Sequence, residues 1–131
     1  MVEERVIPVL IVDDHVLVRQ GIRSTLEFYA DIQVVGEARD GLEAVTSVEK
    51  LLPCVVLMDV NMPRMNGIEA AAQIRDRYPD TIIIGLSVNA ENQEAMKRAG
   101  AVRFISKAGI VEQLYDAIQE AVKKRIRHGS Q

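Results

Sequence analysis

Asp13 and Asp14 follow the apolar run Val9 to Val12, Asp59 follows Val55 to Met58, and Ser87 follows Ile82 to Leu86. Lys107 stands two residues beyond Val102 to Ile105. Each is a polar group at the end of a stretch that a globular chain buries, where an ionised side chain is costly unless something compensates it. Three carboxylates brought together repel one another and raise one another's pKa until a cation joins them. Mg2+ suits such a set, because it takes oxygen ligands, commonly one or two carboxylates with waters and a phosphate oxygen. A carboxylate can also attack a phosphoryl group and form an acyl phosphate, and Asp59 is the candidate for that step. Lys107 and the Ser87 hydroxyl would then hold the remaining oxygens of the transferring group. These residue types suit a phosphoryl acceptor.

For that chemistry the fold must bring the five together. Five short β-branched apolar runs begin at Val9, Val34, Val55, Ile82 and Val102, and segments of helical period separate them, such as Val18, Ile22, Leu26 and later Val111, Leu114, Ile118, Val122. Continuous apolar strands suit a parallel sheet covered by helices on both faces, so the pattern predicts an α/β, flavodoxin-like (βα)5 domain. With strand order 2-1-3-4-5, the first and third strands are neighbours, and ligands bind beyond the strand C-termini where the order reverses. Asp40 and Asn66 each precede a Glu by three residues, a capping-box spacing that starts the second and third helices. Asp13 or Asp14 could cap the first helix. Tyr78-Pro79 ends the third helix, Gly100 ends the fourth, and the last runs from about Val111 to about Ile126. One domain over residues 1–127 is expected, with 128–131 as a tail or the start of a linker.

Composition excludes several classes. With 19 acidic and 16 basic side chains the net charge is −3, which gives no overall footprint for nucleic acid or an anionic membrane. No apolar run approaches a membrane span, and the acidic start MVEER is unlike a signal peptide, so no membrane partner and a cytoplasmic location are expected. The single cysteine, Cys54, reads as core packing, and His15 as a surface or helix-start residue. The one basic cluster, Lys123 to His128, is favoured near a helix C-terminus by the dipole and needs no ligand, with a phosphate-contacting patch or the entry to a DNA-binding module as the secondary reading.

The segments VLIVDDH, LMDVNMPRMNG, IIIGLSVNA and VRFISKAG, in this order and spacing, resemble the receiver domain of two-component response regulators from about Val6 to about Ile126. The resemblance implies that Asp59 is phosphorylated by a sensor histidine kinase or another phosphohistidine donor. It further implies that Asp13 or Asp14, with Asp59 and the Asn61 carbonyl, bind Mg2+, and that Lys107 and Ser87 assist. Phe104 takes the place of the family's switch aromatic, and Asn61 and Asn89 the two places where phosphoryl lifetime is tuned. VDDHVLVRQGIR and GEARDGLEAV are most similar to the NarL/LuxR-type subgroup. That implies homodimerisation and DNA contact only through a helix-turn-helix domain absent from this chain. Ala108 stands where many receivers have proline, so no cis peptide is expected there.

Two other readings compete. A stand-alone regulator would share every feature above. An aspartyl-nucleophile phosphatase would carry a second acid two residues after the nucleophile, and here that residue is Asn61.

Overall fold

The computed structural model describes residues 6–129, with side chains through Ile126. Five strands, β1 (Ile7–Val12), β2 (Ile32–Ala38), β3 (Val55–Asp59), β4 (Ile82–Ser87) and β5 (Arg103–Ser106), alternate with α1 (Val16–Glu27), α2 (Gly41–Leu51), α3 (Gly67–Arg77), α4 (Gln93–Arg98) and α5 (Ile110–Gly129). The sheet is parallel throughout, in the order β2-β1-β3-β4-β5. This is the flavodoxin-like arrangement expected.

The continuous apolar runs follow from burial on two sides. Successive strand residues point to opposite faces, and here each face meets helices. Val9, Ile11, Val55, Leu57, Ile82 and Ile84 feed one core with α1 and α5. Leu10, Val12, Val56, Met58 and Ile83 feed the other with α2, α3 and Met96 of α4. A polar residue at either parity would therefore be buried, so polar groups collect at the strand ends. Phe104 is half-buried at the edge of the second core, and Cys54 at the edge of the first.

The helix ends agree with the sequence expectation at α3 and differ in detail at α2, α1 and α5. At α3 the capping box is reciprocal, with Glu69 N–H on Asn66 Oδ1 at 3.0 Å and Asn66 N–H on Glu69 Oε1 at 3.4 Å. At α2 it is not: Asp40 Oδ1 accepts from Glu43 N–H at 2.9 Å, but the Glu43 side chain bonds Arg39 N–H instead. The cap of α1 is His15, without a side-chain cap bond, so neither Asp13 nor Asp14 fills that role. The last helix runs through Gly129, three residues beyond the expected end. Ser130, Gln131 and the side chains of Arg127 and His128 lie outside the described residues, and of the expected 128–131 tail the backbone of 128 and 129 is helical. Among the described residues no helix is long and apolar enough to cross a membrane, and no peptide bond is cis.

Candidate functional site

The sheet order reverses at β1, whose two neighbours are β2 and β3. Asp13 leaves β1 beside Asp59, the last residue of β3, and both are buried. Ser87 closes β4 and is buried as well, its Oγ accepting from Asn89 N–H at 3.1 Å. After β5, Ser106 Oγ accepts from Ala108 N–H at 3.2 Å and starts a 3-10 turn, Lys107–Gly109. From that turn Lys107 Nζ reaches Asp13 Oδ2 at 2.6 Å and Asp59 Oδ1 at 3.0 Å. The ammonium thus spans the ends of two adjacent strands.

One positive charge serves two buried carboxylates, and a third, Asp14, lies beside them. Burial pushes the Asp59 carboxyl above its ordinary value of 3.8, the Asp13 charge adds to the rise, and Lys107 only partly opposes it. Burial acts to lower the Lys107 pKa, but its bonds to Asp13 and Asp59 outweigh that, so the ammonium is held above 10.5 and stays charged.

The cluster fits a divalent cation on two observations. Asp14 Oδ1 is a buried oxygen without a hydrogen bond, and Asp13 Oδ2 has the Lys107 ammonium as its one partner. Ligand atoms of Asp13, Asp14, His15 and Asp59 all lie within 4.8 Å of one another. His15 enters this group unexpectedly: it is exposed at the helix start, but Nδ1 sits 3.2 Å from Asp13 Oδ1 and 3.1 Å from Asp14 Oδ1. A carboxylate-rich set of this kind suits a hard divalent ion.

The loop after Asp59 is held close to it. Val60 N–H donates to Asp59 Oδ1 at 2.9 Å, and Gly67 N–H to the Val60 carbonyl at 2.8 Å. Gly67 is required, because a Cβ there would collide with the Asp59 carbonyl. Met65 N–H donates to the Pro63 carbonyl at 2.7 Å across Arg64, whose φ of 67° makes a rare γ-turn of positive φ. The Arg64 guanidinium lies on the buried Asp40 carboxylate, with Nε to Oδ2 at 2.9 Å, and so ties the loop to α2. Asn61 and Asn89 are exposed on their loops.

Of the residues singled out by sequence, Asp13, Asp14, Asp59 and Lys107 meet directly, and Ser87 closes the strand beside Asp59. Two partners were not foreseen. The Asp40–Arg64 pair carried no signal beyond the α2 cap, and Arg19 donates to the Asp13 main-chain carbonyl at 2.6 Å.

Comparison with known proteins fits this geometry. Residues 9–119 match the response regulator receiver domain profile. The chain is 39% identical over 124 residues to the transcriptional regulatory protein DegU of Brevibacillus brevis, covering 93% of this chain and 51% of that protein. It is 42% identical over 106 residues to a protein-glutamate methylesterase/protein-glutamine glutaminase of Pyrococcus horikoshii, covering 79% of this chain and 29% of that one. The chain therefore spans about half of the first relative and under a third of the second. Among solved structures, the signal receiver domain of the putative response regulator NarL from Mycobacterium tuberculosis superposes with a TM-score of 0.85 at 30% identity, over 91% of this chain and 98% of that one.

Proposed function

This chain belongs to the response regulator receiver family, and on that premise we propose that Asp59 takes a phosphoryl group from a phosphohistidine on a sensor histidine kinase. The observation that carries the reading is the single ammonium of Lys107 lying on both Asp13 and Asp59. An Asp59 carboxylate oxygen attacks phosphorus while the bond from phosphorus to the donor imidazole nitrogen breaks. The electron pair returns to that nitrogen, and Asp59 becomes an acyl phosphate.

Asp13, Asp14, Asp59 and the Asn61 carbonyl would hold Mg2+, and the chemistry it supplies when bound is neutralisation of the phosphoryl oxygens. Lys107 brings a fixed positive charge to those oxygens, and Ser87 a hydroxyl. Because Asn61 stands where a phosphatase would have its second acid, water is not activated and the acyl phosphate persists. Asn61 and Asn89 set its lifetime. Phe104, half-buried beside the second core, is the side chain that repacks when Ser87 turns toward the phosphoryl group.

The output is proposed to be transcription, in the manner of the NarL/LuxR-type subgroup, through a DNA-binding domain outside this chain and a homodimer formed on phosphorylation. Support comes from the DegU relative, of which this chain spans half. On this reading residues 1–127 are the receiver, 128–131 lead toward the output, and the protein works in the cytoplasm.

Intact-mass measurement after incubation with Mg2+ and acetyl phosphate tests the proposal. Wild type should gain one phosphoryl adduct that requires Mg2+, and Asp59→Asn none. An equal adduct on the variant, or none on wild type, rejects Asp59 as the acceptor. Steady release of phosphate would favour the phosphatase reading.

A further inference from the structure

Arg19 approaches the carboxylate cluster from behind. Its Nη1 donates to the Asp13 carbonyl at 2.6 Å and its Nε to Glu37 Oε1 at 2.8 Å. The other Glu37 oxygen accepts from Arg23 Nε at 2.7 Å. Arg19 and Arg23 are one helical turn apart on α1, so a carboxylate on β2 grips both guanidinium groups. Burial opposes the charge on Glu37, but the two arginines outweigh it and hold its carboxyl below the ordinary value of 4.5. Arg19 is thereby anchored at Nε while its Nη1 lies on the Asp13 carbonyl.

The carbonyl it holds belongs to the peptide joining Asp13 to Asp14. A peptide unit is planar, so its oxygen moves together with the bonds to both Cα atoms, and a hydrogen bond on that oxygen restrains them. On the other side of Asp13, its N–H donates to the Ala38 carbonyl of β2 at 3.0 Å. Both peptide planes flanking Asp13 are therefore pinned, one to the sheet and one to α1. Its Oδ1 is fixed in turn by His15 N–H at 2.9 Å. Release of the Arg19 bond would free the 13–14 peptide to turn toward another donor, carrying both carboxylates out of their present relation.

We infer that Arg19 is a positioning residue for the divalent-cation site, holding the 13–14 peptide so that the Asp13 and Asp14 carboxylates face the cation together. The inference rests on the reading of the cluster as a Mg2+ site. Arg23 is the internal control, since it shares the Glu37 anchor with Arg19 and bonds Glu37 and Glu27 but, among the described residues, not Asp13. Variants of either arginine weaken the α1–β2 contact, but only those of Arg19 release the carbonyl.

Isothermal titration calorimetry of Mg2+ into the unphosphorylated full chain separates the two. Arg19→Ala should raise Kd about tenfold or more, the range found when partners behind metal ligands are removed. Arg23→Ala should keep the wild-type Kd despite a lower Tm. Arg19→Lys keeps the charge but not the two-way fork, and should fall between. At saturating Mg2+ the rate of adduct formation from acetyl phosphate should recover in Arg19→Ala, because the loss lies in cation binding. An unchanged Kd in Arg19→Ala, or an equal rise in Arg23→Ala, overturns the inference. If Arg19→Ala does not fold, Arg19→Lys against Arg23→Lys carries the same test. Absence of Mg2+ binding by wild type would instead reject the reading of the site itself.

Discussion

Asp59 and Asp40 are both shut away from solvent with a cation on them, and their carboxyls shift in opposite directions. Burial raises both. At Asp40 that rise is overcome by the Glu43 and Leu42 amides at the start of α2 and by the Arg64 guanidinium, so the group is held below its ordinary value. At Asp59 one amide and a shared ammonium face two neighbouring carboxylates, and the group stays above it. A carboxylate that builds the fold is satisfied by its own surroundings. The one at the candidate site is left short of positive charge, which a divalent cation can supply.

The largest effect that can break this contrast is cation linkage. A ligand bound only by the folded state stabilises it by mass action, by about 2.7 kcal/mol at a hundred times Kd. Wild type and Asp40→Ala should both gain this increment when Mg2+ is added to a urea unfolding series. Asp13→Asn and Asp59→Asn should lose most of it. An equal gain in all four proteins would place the cation elsewhere.

A smaller effect, without metal, concerns the fold alone. Asp40→Ala removes the cap of α2 and frees Arg64, and loss of a cap costs about 0.5–2 kcal/mol. Asp59→Asn should leave the metal-free stability equal to wild type or higher, because it removes repulsion with Asp13 and Asp14 along with the Lys107 bond. Urea midpoints at constant m-value measure both. Destabilisation by Asp59→Asn as large as that by Asp40→Ala would mean that the two carboxylates are equivalent.

The two regions also differ in how far the sequence revealed them. Asp13, Asp59, Ser87 and Lys107 were legible because a parallel sheet collects the ends of its apolar runs at one edge, so position along the chain nearly determines position in space. The Asp40–Arg64 pair joins residues 24 apart, and Arg19–Glu37 residues 18 apart, across elements whose relative rotation no apolar pattern reports. Arg64 hides a second way, since its positive φ falls on a residue type that gives no warning of it. His15 was legible as a helix start; that its Nδ1 faces two carboxylates depends on the path of the β1–α1 turn.

The subtlest separation is by pH, in metal-free buffer. Asp40 has a folded pKa below 3.8, so its contribution to stability is complete above that value and is lost as pH falls through the lower folded value. The stability of wild type minus that of Asp40→Asn should therefore rise from strong acid and flatten near pH 4. Asp59 has a folded pKa above 3.8, so between these values the folded chain keeps a proton that the unfolded chain has released. Folding is favoured on the acid side, and that advantage disappears as pH rises through the folded value. Wild type minus Asp59→Asn should therefore fall over a window that begins near pH 4 and ends at the raised value, then stay level. Opposite slopes in the two difference curves are the expected result, and slopes of the same sign would mean that Lys107 satisfies Asp59 as fully as Arg64 and the α2 amides satisfy Asp40.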